Sequence, residues 1–219
     1  MIGIVDYGMG NLYSLSQALK RLEQSYIISD DPGELDTTDG LILPGVGAFK
    51  DAMGLLKEKH LSDYLSRCAQ TKPLLGICLG MQLLFDESEE GVLTKGLGLI
   101  PGRIFRFPGV TNEGVRYKVP HMGWNTLTFV NSQSALIQGL EPNYAYFVHS
   151  YYADLKNSNT LIAVADYYGH VPAIVGKGLV FGTQFHPEKS GVFGQALLKN
   201  YLRLVSQIDD SCSCGEEKC

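Results

Sequence analysis

The sequence predicts one α/β domain with a mostly parallel central sheet flanked by helices. Short apolar runs alternate with segments of helical period from Met1 to Phe85, as in β-α units whose strands are buried on both faces. Glycine-bearing turns join strand to helix at 6–11, 44–47 and 76–80, and function in such sheets gathers at the carboxyl ends of the strands. A chain of 219 residues can bury one sizeable core and does not require a second domain.

Ile2 to Asp6 is the first strand, and Leu12, Leu15, Leu19 and Leu22 mark the buried face of the helix after it. The intervening Gly8-Met9-Gly10 lacks the third glycine of a dinucleotide fingerprint, so nucleotide binding is not expected. Tyr26 to Ser29 is a second strand, followed by turn residues Asp30-Asp31-Pro32-Gly33. Gly40 to Leu43 is a third, ending in a loop Pro44-Gly45-Val46-Gly47. Glycines on both sides of Val46 free that backbone, so the loop either offers N–H groups to a developing anion or is a plain turn. Ala48 to Leu56 and Leu61 to Ala69 read as helices.

Lys72 to Phe85, KPLLGICLGMQLLF, reads as strand, tight turn and helix. Its Gly76-Ile77-Cys78-Leu79-Gly80 has the form of a nucleophile elbow with Cys in place of Ser. The glycines remove side chains where strand and helix approach closely, and a thiol at a helix N-terminus is favoured as thiolate. The alternative is a buried structural cysteine.

From Gly91 to Val130 the alternation stops. Gly96 to Gly102 is an irregular connector, Ile104 to Phe107 a strand, and Pro120-His121-Met122-Gly123-Trp124-Asn125 a turn-like stretch ahead of another. Trp124 is either an exposed partner-facing aromatic or ordinary core. Tyr144 to Tyr152 is aromatic and β-prone, and its His149 is either a second candidate base or a hydrogen-bonded residue at a strand end. Leu161 to Asp166, Ala173 to Gly176 and Leu179 to Thr183 complete the strands, and Phe193 to Val205 closes the fold as an amphipathic helix. Residues 1–206 are expected to form the domain and 207–219 a flexible polar tail. Cys212, Cys214 and Cys219 supply too few ligands for a closed zinc site.

Composition narrows the function. A net charge of -5 without a basic block argues against nucleic acid, and no apolar run spans a bilayer. The first strand begins at once, without a basic and then apolar leader, and five cysteines crowded toward the end are not a secreted disulfide framework. A cytoplasmic protein is expected. In the last segment, Gln184-Phe185-His186-Pro187-Glu188-Lys189-Ser190, His186 and Glu188 are two apart, so an extended chain turns both to one side. Cys78 as nucleophile, His186 as base and Glu188 as its orienter satisfy the logic of a catalytic triad. The order Cys, His, acid differs from the usual hydrolase order, in which the acid precedes the His.

PGVG at 44–47, GICLGMQ at 76–82 and QFHPEKS at 184–190 together resemble class I (triad-type) glutamine amidotransferases. DYGMGNL at 6–12, PHMGWN at 120–125 and YFVHSYY at 146–152 are similar, within that family, to the glutaminase subunits of imidazole glycerol phosphate synthases. The resemblance covers Met1 to Val205 and leaves out the cysteine-rich tail. It implies the amidotransferase fold, the parallel sheet extended by an additional antiparallel β portion. It implies that Cys78, His186 and Glu188 are the triad, that Val46 and Leu79 supply oxyanion N–H groups once the Pro44–Gly47 segment rearranges, and that Gly47, Gln82, Ser150 and Tyr151 hold L-glutamine. Asn11, Trp124 and Lys189 would face a (β/α)8 cyclase subunit in a heterodimer, across whose interface ammonia passes into histidine biosynthesis. Neither a metal nor an organic cofactor is needed. The residues leave open a paralogous glutaminase feeding a surface-sugar amidation pathway, an unrelated cysteine hydrolase, and a binding subunit with a relic site.

Overall fold

The structure, a computed structural model, describes residues 1–213. In the first half, β1 (Ile2–Val5), α1 (Leu12–Arg21), β2 (Tyr26–Ser29), α2 (Pro32–Asp36), β3 (Gly40–Gly45), α3 (Phe49–Glu58), α4 (Leu61–Cys68), β4 (Leu74–Cys78) and α5 (Leu79–Leu83) keep the expected alternation. The second half holds β5 (Phe85–Ser88), β6 (Thr94–Lys95), β7 (Ile100–Arg106), β8 (His121–Phe129), β9 (Tyr144–His149), β10 (Tyr151–Leu155), β11 (Leu161–Asp166), β12 (His170–Lys177), β13 (Val180–Thr183) and α6 (Gly191–Ser213).

Nine strands form the main sheet in the order β2-β1-β3-β4-β13-β12-β11-β8-β9. From β2 to β13 the pairs are parallel, and from β13 to β9 antiparallel. A second, four-stranded sheet runs β10-β7-β5-β6. Both the parallel half and the antiparallel addition expected from the sequence are therefore present.

Strand alternation sorts the core into two layers. Ile2, Ile4, Ile42, Leu75 and Ile77 pack with Leu15 and Leu19 of α1 and Leu197, Leu198 and Tyr201 of α6. Val5, Leu41, Leu43 and Leu74 pack with Phe49 and Leu56 of α3, Leu61 and Leu65 of α4, and Met81 of α5. The Tyr201 hydroxyl donates to the Leu41 carbonyl at 2.6 Å and the Pro73 carbonyl at 2.9 Å, tying α6 to the middle of the parallel half. Local signals set the ends of α1: the Asn11 side chain accepts from the Ser14 N–H, and Lys20 and Arg21 occupy the last turn, each favourable to the exposed peptide groups there.

Several boundaries differ from the sequence reading. Asp31 caps a short helix where only a turn was expected. Pro44 and Gly45 belong to β3, paired with Ile77 and Cys78, which leaves Val46 and Gly47 as the loop proper. His121 to Asn125 lies within β8 instead of preceding a strand. Pro187 to Lys189 is a 3₁₀ turn, not extended chain. The backbone of α6 continues to Ser213, so the first seven residues of the expected tail, Cys212 among them, prolong a helix. Cys214 and Cys219 lie outside the described residues. No helix among the described residues is long and apolar enough to cross a membrane.

Candidate active site

The elbow is built by close approach. Cys78 ends β4 at φ 56° and ψ -112° and stands at the N-cap of α5, a conformation that costs a non-glycine residue and recurs where a side chain must be aimed. A Cβ on Gly80 would fall 1.8 Å from the Leu43 carbonyl oxygen, and one on Gly76 would fall 2.6 Å from the Gly80 oxygen. Only glycine lets α5 lie this close to β3 and β4.

The parallel register then assembles the rest. On one side of β4, Gly45 pairs with Cys78. On the other, Thr183 of β13 pairs with Ile77, and the chain leaving β13 delivers Gln184 and His186 beside the thiol. The His186 Nδ1 lies 2.8 Å from Glu188 Oε1, both side chains buried. The expected contact exists, but His186 reaches Glu188 across the 3₁₀ turn that begins at Pro187. Burial opposes a charge on His186, yet the hydrogen bonds it makes to Cys78 and Glu188 override it and hold the imidazole up to about 9. The second Glu188 oxygen, Oε2, is buried without a partner.

Val46, Gly47, Cys78, Leu79, Gln82, Ser150, Tyr151 and His186 line one cavity of ≈ 400 Å³. Eight of the twelve residues singled out from the sequence thus meet in a single space. Glu188 lies behind His186, against a small void shared with Asn11. Lys189 lies on the 3₁₀ turn, and Trp124 projects from β8, 57% exposed. Met122 and Tyr144 are also exposed on β8 and β9, and the ring of Tyr146 meets Trp124 edge-on at 6.0 Å. Trp124 is therefore a surface aromatic.

Of the two residues expected to offer oxyanion N–H groups, only Leu79 directly follows Cys78. The Val46 N–H donates instead to the Met9 carbonyl, at 3.4 Å, so the 6–11 loop holds that peptide away from the thiol. Gly10 packs against Pro44, where a Cβ would fall 2.9 Å from the ring; this loop braces the segment that carries Val46.

Two polar residues at the site, one lining the cavity and one buried behind it, escaped the sequence reading. Glu90 contributes a carboxylate to the cavity while its Oε2 accepts the Phe49 N–H at 2.8 Å. Gln184, fully buried, accepts from Gln82 Nε2 at 3.0 Å and turns its own Nε2 toward Cys78 Sγ at 4.0 Å. Glu90 sits in an acidic run before a glycine, which gave no local sign of a site; Gln184 adjoins the His-Pro-Glu motif, and that adjacency was its only signal. His149 also lines the cavity, but Tyr151 and His121 occupy its two nitrogens; it is a hydrogen-bonded residue, not a second base. A larger cavity of ≈ 570 Å³, walled by Phe107, Tyr117, Tyr152, Tyr167 and Tyr168, is lined by neither a cysteine nor a serine. Among the described residues no group of three His, Cys, Asp or Glu is arranged to hold a metal.

Residues 3–204 match the family model for glutamine amidotransferase class-I. The chain is 59% identical to the imidazole glycerol phosphate synthase subunit HisH of Geobacillus sp. (strain WCH70), covering 94% of this chain and 97% of that one. It is 50% identical to the subunit of the same name from Bacillus subtilis (strain 168), covering 94% and 98%. Among solved structures, a glutamine amidotransferase superposes with TM-score 0.72 at 20% identity, over 94% of this chain and 98% of that one. PurLQS from Thermotoga maritima gives 0.70 at 20%, over 93% and 98%. A nucleophile elbow on a parallel sheet, a buried His-carboxylate pair beside it and a family match over nearly the whole length agree: the chain belongs to the class-I glutamine amidotransferases.

Proposed function

We propose that the chain is the glutaminase subunit of an imidazole glycerol phosphate synthase, with Cys78, His186 and Glu188 as its triad. The observation that carries this reading is the convergence of Cys78 and His186 on one cavity in a chain 59% identical to a synthase subunit. The names of its relatives favour the histidine pathway over surface-sugar amidation, and the family match disfavours an unrelated hydrolase.

The chemistry follows from the geometry. His186 Nε2 takes the Cys78 thiol proton, and the sulfur attacks the side-chain amide carbon of L-glutamine while the carbonyl π pair moves onto oxygen. A protonated His186, stabilised by Cys78 and Glu188, passes its Nε2 proton to the departing nitrogen, releasing ammonia and leaving a thioester. His186 then takes a proton from water as the water attacks, and glutamate leaves with the thiol restored. Glu188 accepts from Nδ1 and keeps Nε2 aimed at the reacting atoms. Gly47, Gln82, Ser150 and Tyr151 hold the substrate, and the Glu90 carboxylate suits its ammonium group.

The oxyanion takes one N–H from Leu79 and needs a second. Val46 supplies it only after leaving the Met9 carbonyl, and one such donor is typically worth about 10²–10³ in rate. The resting chain is therefore slow, and docking of a loaded (β/α)8 cyclase subunit against Asn11, Trp124 and Lys189 turns the peptide inward. Ammonia then crosses directly to the cyclase, which serves the synthase in the cytoplasm.

Glutamate release from glutamine tests this. It is expected to be low for the chain alone and to rise sharply only with the cyclase subunit and its ribonucleotide substrate, and Cys78→Ala abolishes it. Equal rates for the chain alone and in the loaded complex would refute the switch, and turnover by Cys78→Ala would refute the triad.

A further inference from the structure

We infer that His121 and His149 are positioning residues for glutamine, acting through the Tyr151 carbonyl; the inference rests on the reading above that Ser150 and Tyr151 hold the substrate. The two histidines face each other across the antiparallel β8–β9 pair. His121 Nδ1 lies 2.9 Å from His149 Nε2, and His149 Nδ1 lies 2.8 Å from the Tyr151 carbonyl oxygen. At the far end Asn125 Nδ2 lies 3.2 Å from His121 Nε2 and donates to the Asp166 carbonyl at 2.8 Å.

Carbonyl oxygens at both ends fix every proton in this chain. A carbonyl only accepts, so His149 carries its hydrogen on Nδ1. The neutral ring then accepts at Nε2, so His121 carries its hydrogen on Nδ1 as well and accepts from Asn125 at Nε2. Asn125 Oδ1 takes the Thr126 N–H at 2.8 Å, which leaves both amide hydrogens for the two acceptors. All donation runs one way, from the β8 edge toward the cavity. Burial keeps both rings neutral, holding His121 down to about 4 and His149 to about 3. The His121 ring is clamped between Phe147 and Tyr167, with centroids 4.6 Å and 4.0 Å away.

The Tyr151 carbonyl is where two wall systems meet. It accepts from His149 on one side and from Gln82 Nε2, at 3.1 Å, on the other. Gln82 is in turn bonded to Gln184, which faces the Cys78 sulfur. Ser150 is the break between β9 and β10, where ladder bonds alone leave the peptide orientation weakly held. The histidine chain pins that break from the strand pair whose outer face carries Met122 and Trp124, so this wall is set independently of the triad.

The test is glutamine kinetics in the complete, substrate-loaded complex, comparing His121→Phe, His149→Ala and His149→Asn. Phenylalanine keeps the stack on Phe147 and Tyr167 but removes the Nδ1–H donor. The first two variants are expected to raise KM for glutamine about tenfold, the value of roughly one hydrogen bond, with much smaller change in kcat. Asparagine at 149 places an amide N–H where Nδ1 stood and is expected to recover most of the loss. Wild-type KM in both His121→Phe and His149→Ala, with the wild-type complex active, would overturn this inference alone; a wild-type complex without turnover would overturn the functional reading with it. Should the variants not fold, ¹⁵N spectra of the intact wild-type chain decide: neutral Nδ1–H tautomers on both rings support the chain of donors, and an Nε2–H tautomer on His149 overturns it.

Discussion

Two buried pairs, each with a histidine on the wall of one cavity, differ in charge: the imidazole of one is held protonated and both rings of the other are held neutral. His186 with Glu188 follows the last parallel strand; His121 with His149 bridges the antiparallel edge. All three imidazoles are nearly inaccessible to solvent, so burial pushes each toward the neutral form. At His186 the thiol and the carboxylate outweigh it and raise the pKa to about 9. At His149 the compensating acceptor is only a backbone carbonyl, with His121 and His186 adding repulsion, and the pKa falls to about 3. The partner's charge, not the depth of burial, decides what a buried histidine does. Here one pair holds a charged imidazole and the other two neutral ones.

The sharpest way to break this comparison is Glu188→Gln, which keeps the shape of the acid and removes its charge. Removing the orienting carboxylate of a triad costs on the order of 10⁴ in kcat where it has been measured, and a loss of about 10²–10⁴ is expected in the loaded complex. The alkaline limb of the rate profile should move down from about 9 as the His186 proton is held less tightly. A rate within a few-fold of wild type would mean that Glu188 is a mere buried contact.

The same comparison sets the pH dependence of stability. The raised pKa of His186 adds stability that is complete below the ordinary value of 6.5 and lost as pH rises through about 9. The lowered values of His121 and His149 add stability present above 6.5 and lost as pH falls toward about 4 and about 3. Melting temperature measured from pH 4 to 10 is expected to fall at both ends, and His121→Phe should flatten the acid limb. An unchanged acid limb in that variant would place the acid sensitivity elsewhere.

The smallest effect expected is at Trp124, on the face proposed to meet the cyclase. Trp124 lies one residue past Gly123 on the strand that carries His121, but on its outer side. Trp124→Ala should weaken the complex about tenfold, by ~1–2 kcal/mol, as for an aromatic interface anchor, without lowering the melting temperature of the isolated chain. A large loss of stability with unchanged affinity would make Trp124 part of the fold and not of the interface.

What could be read in advance was what lies close along the chain. The apolar runs Ile2 to Val5 and Leu74 to Cys78 and the paired glycines around Cys78 are local instructions, since a buried strand and a tight turn are specified by the residues within them. The His186–Glu188 pairing was also within reach, although the turn at Pro187 achieves it by a route that strand geometry does not suggest. PHMGWN was misread because His121, a polar residue, faces inward while Met122 and Trp124 face out, which inverts the alternation by which a strand is recognised. The roles of Glu90 and Gln184 had no signature of their own: each depends on parts of the chain far from it, Phe49 in one case and Gln82 with Cys78 in the other.

By itself the sequence determined the elbow, the parallel half and the closeness of His186 to Glu188, because each is written in a few contiguous residues. Only the tertiary structure decided that the Val46 N–H faces Met9, that His149 is a wall residue instead of a base, and which buried histidine keeps its proton. Peptide orientation, tautomer and charge are set by whichever acceptor the fold brings near, and those acceptors come from strands distant in the chain.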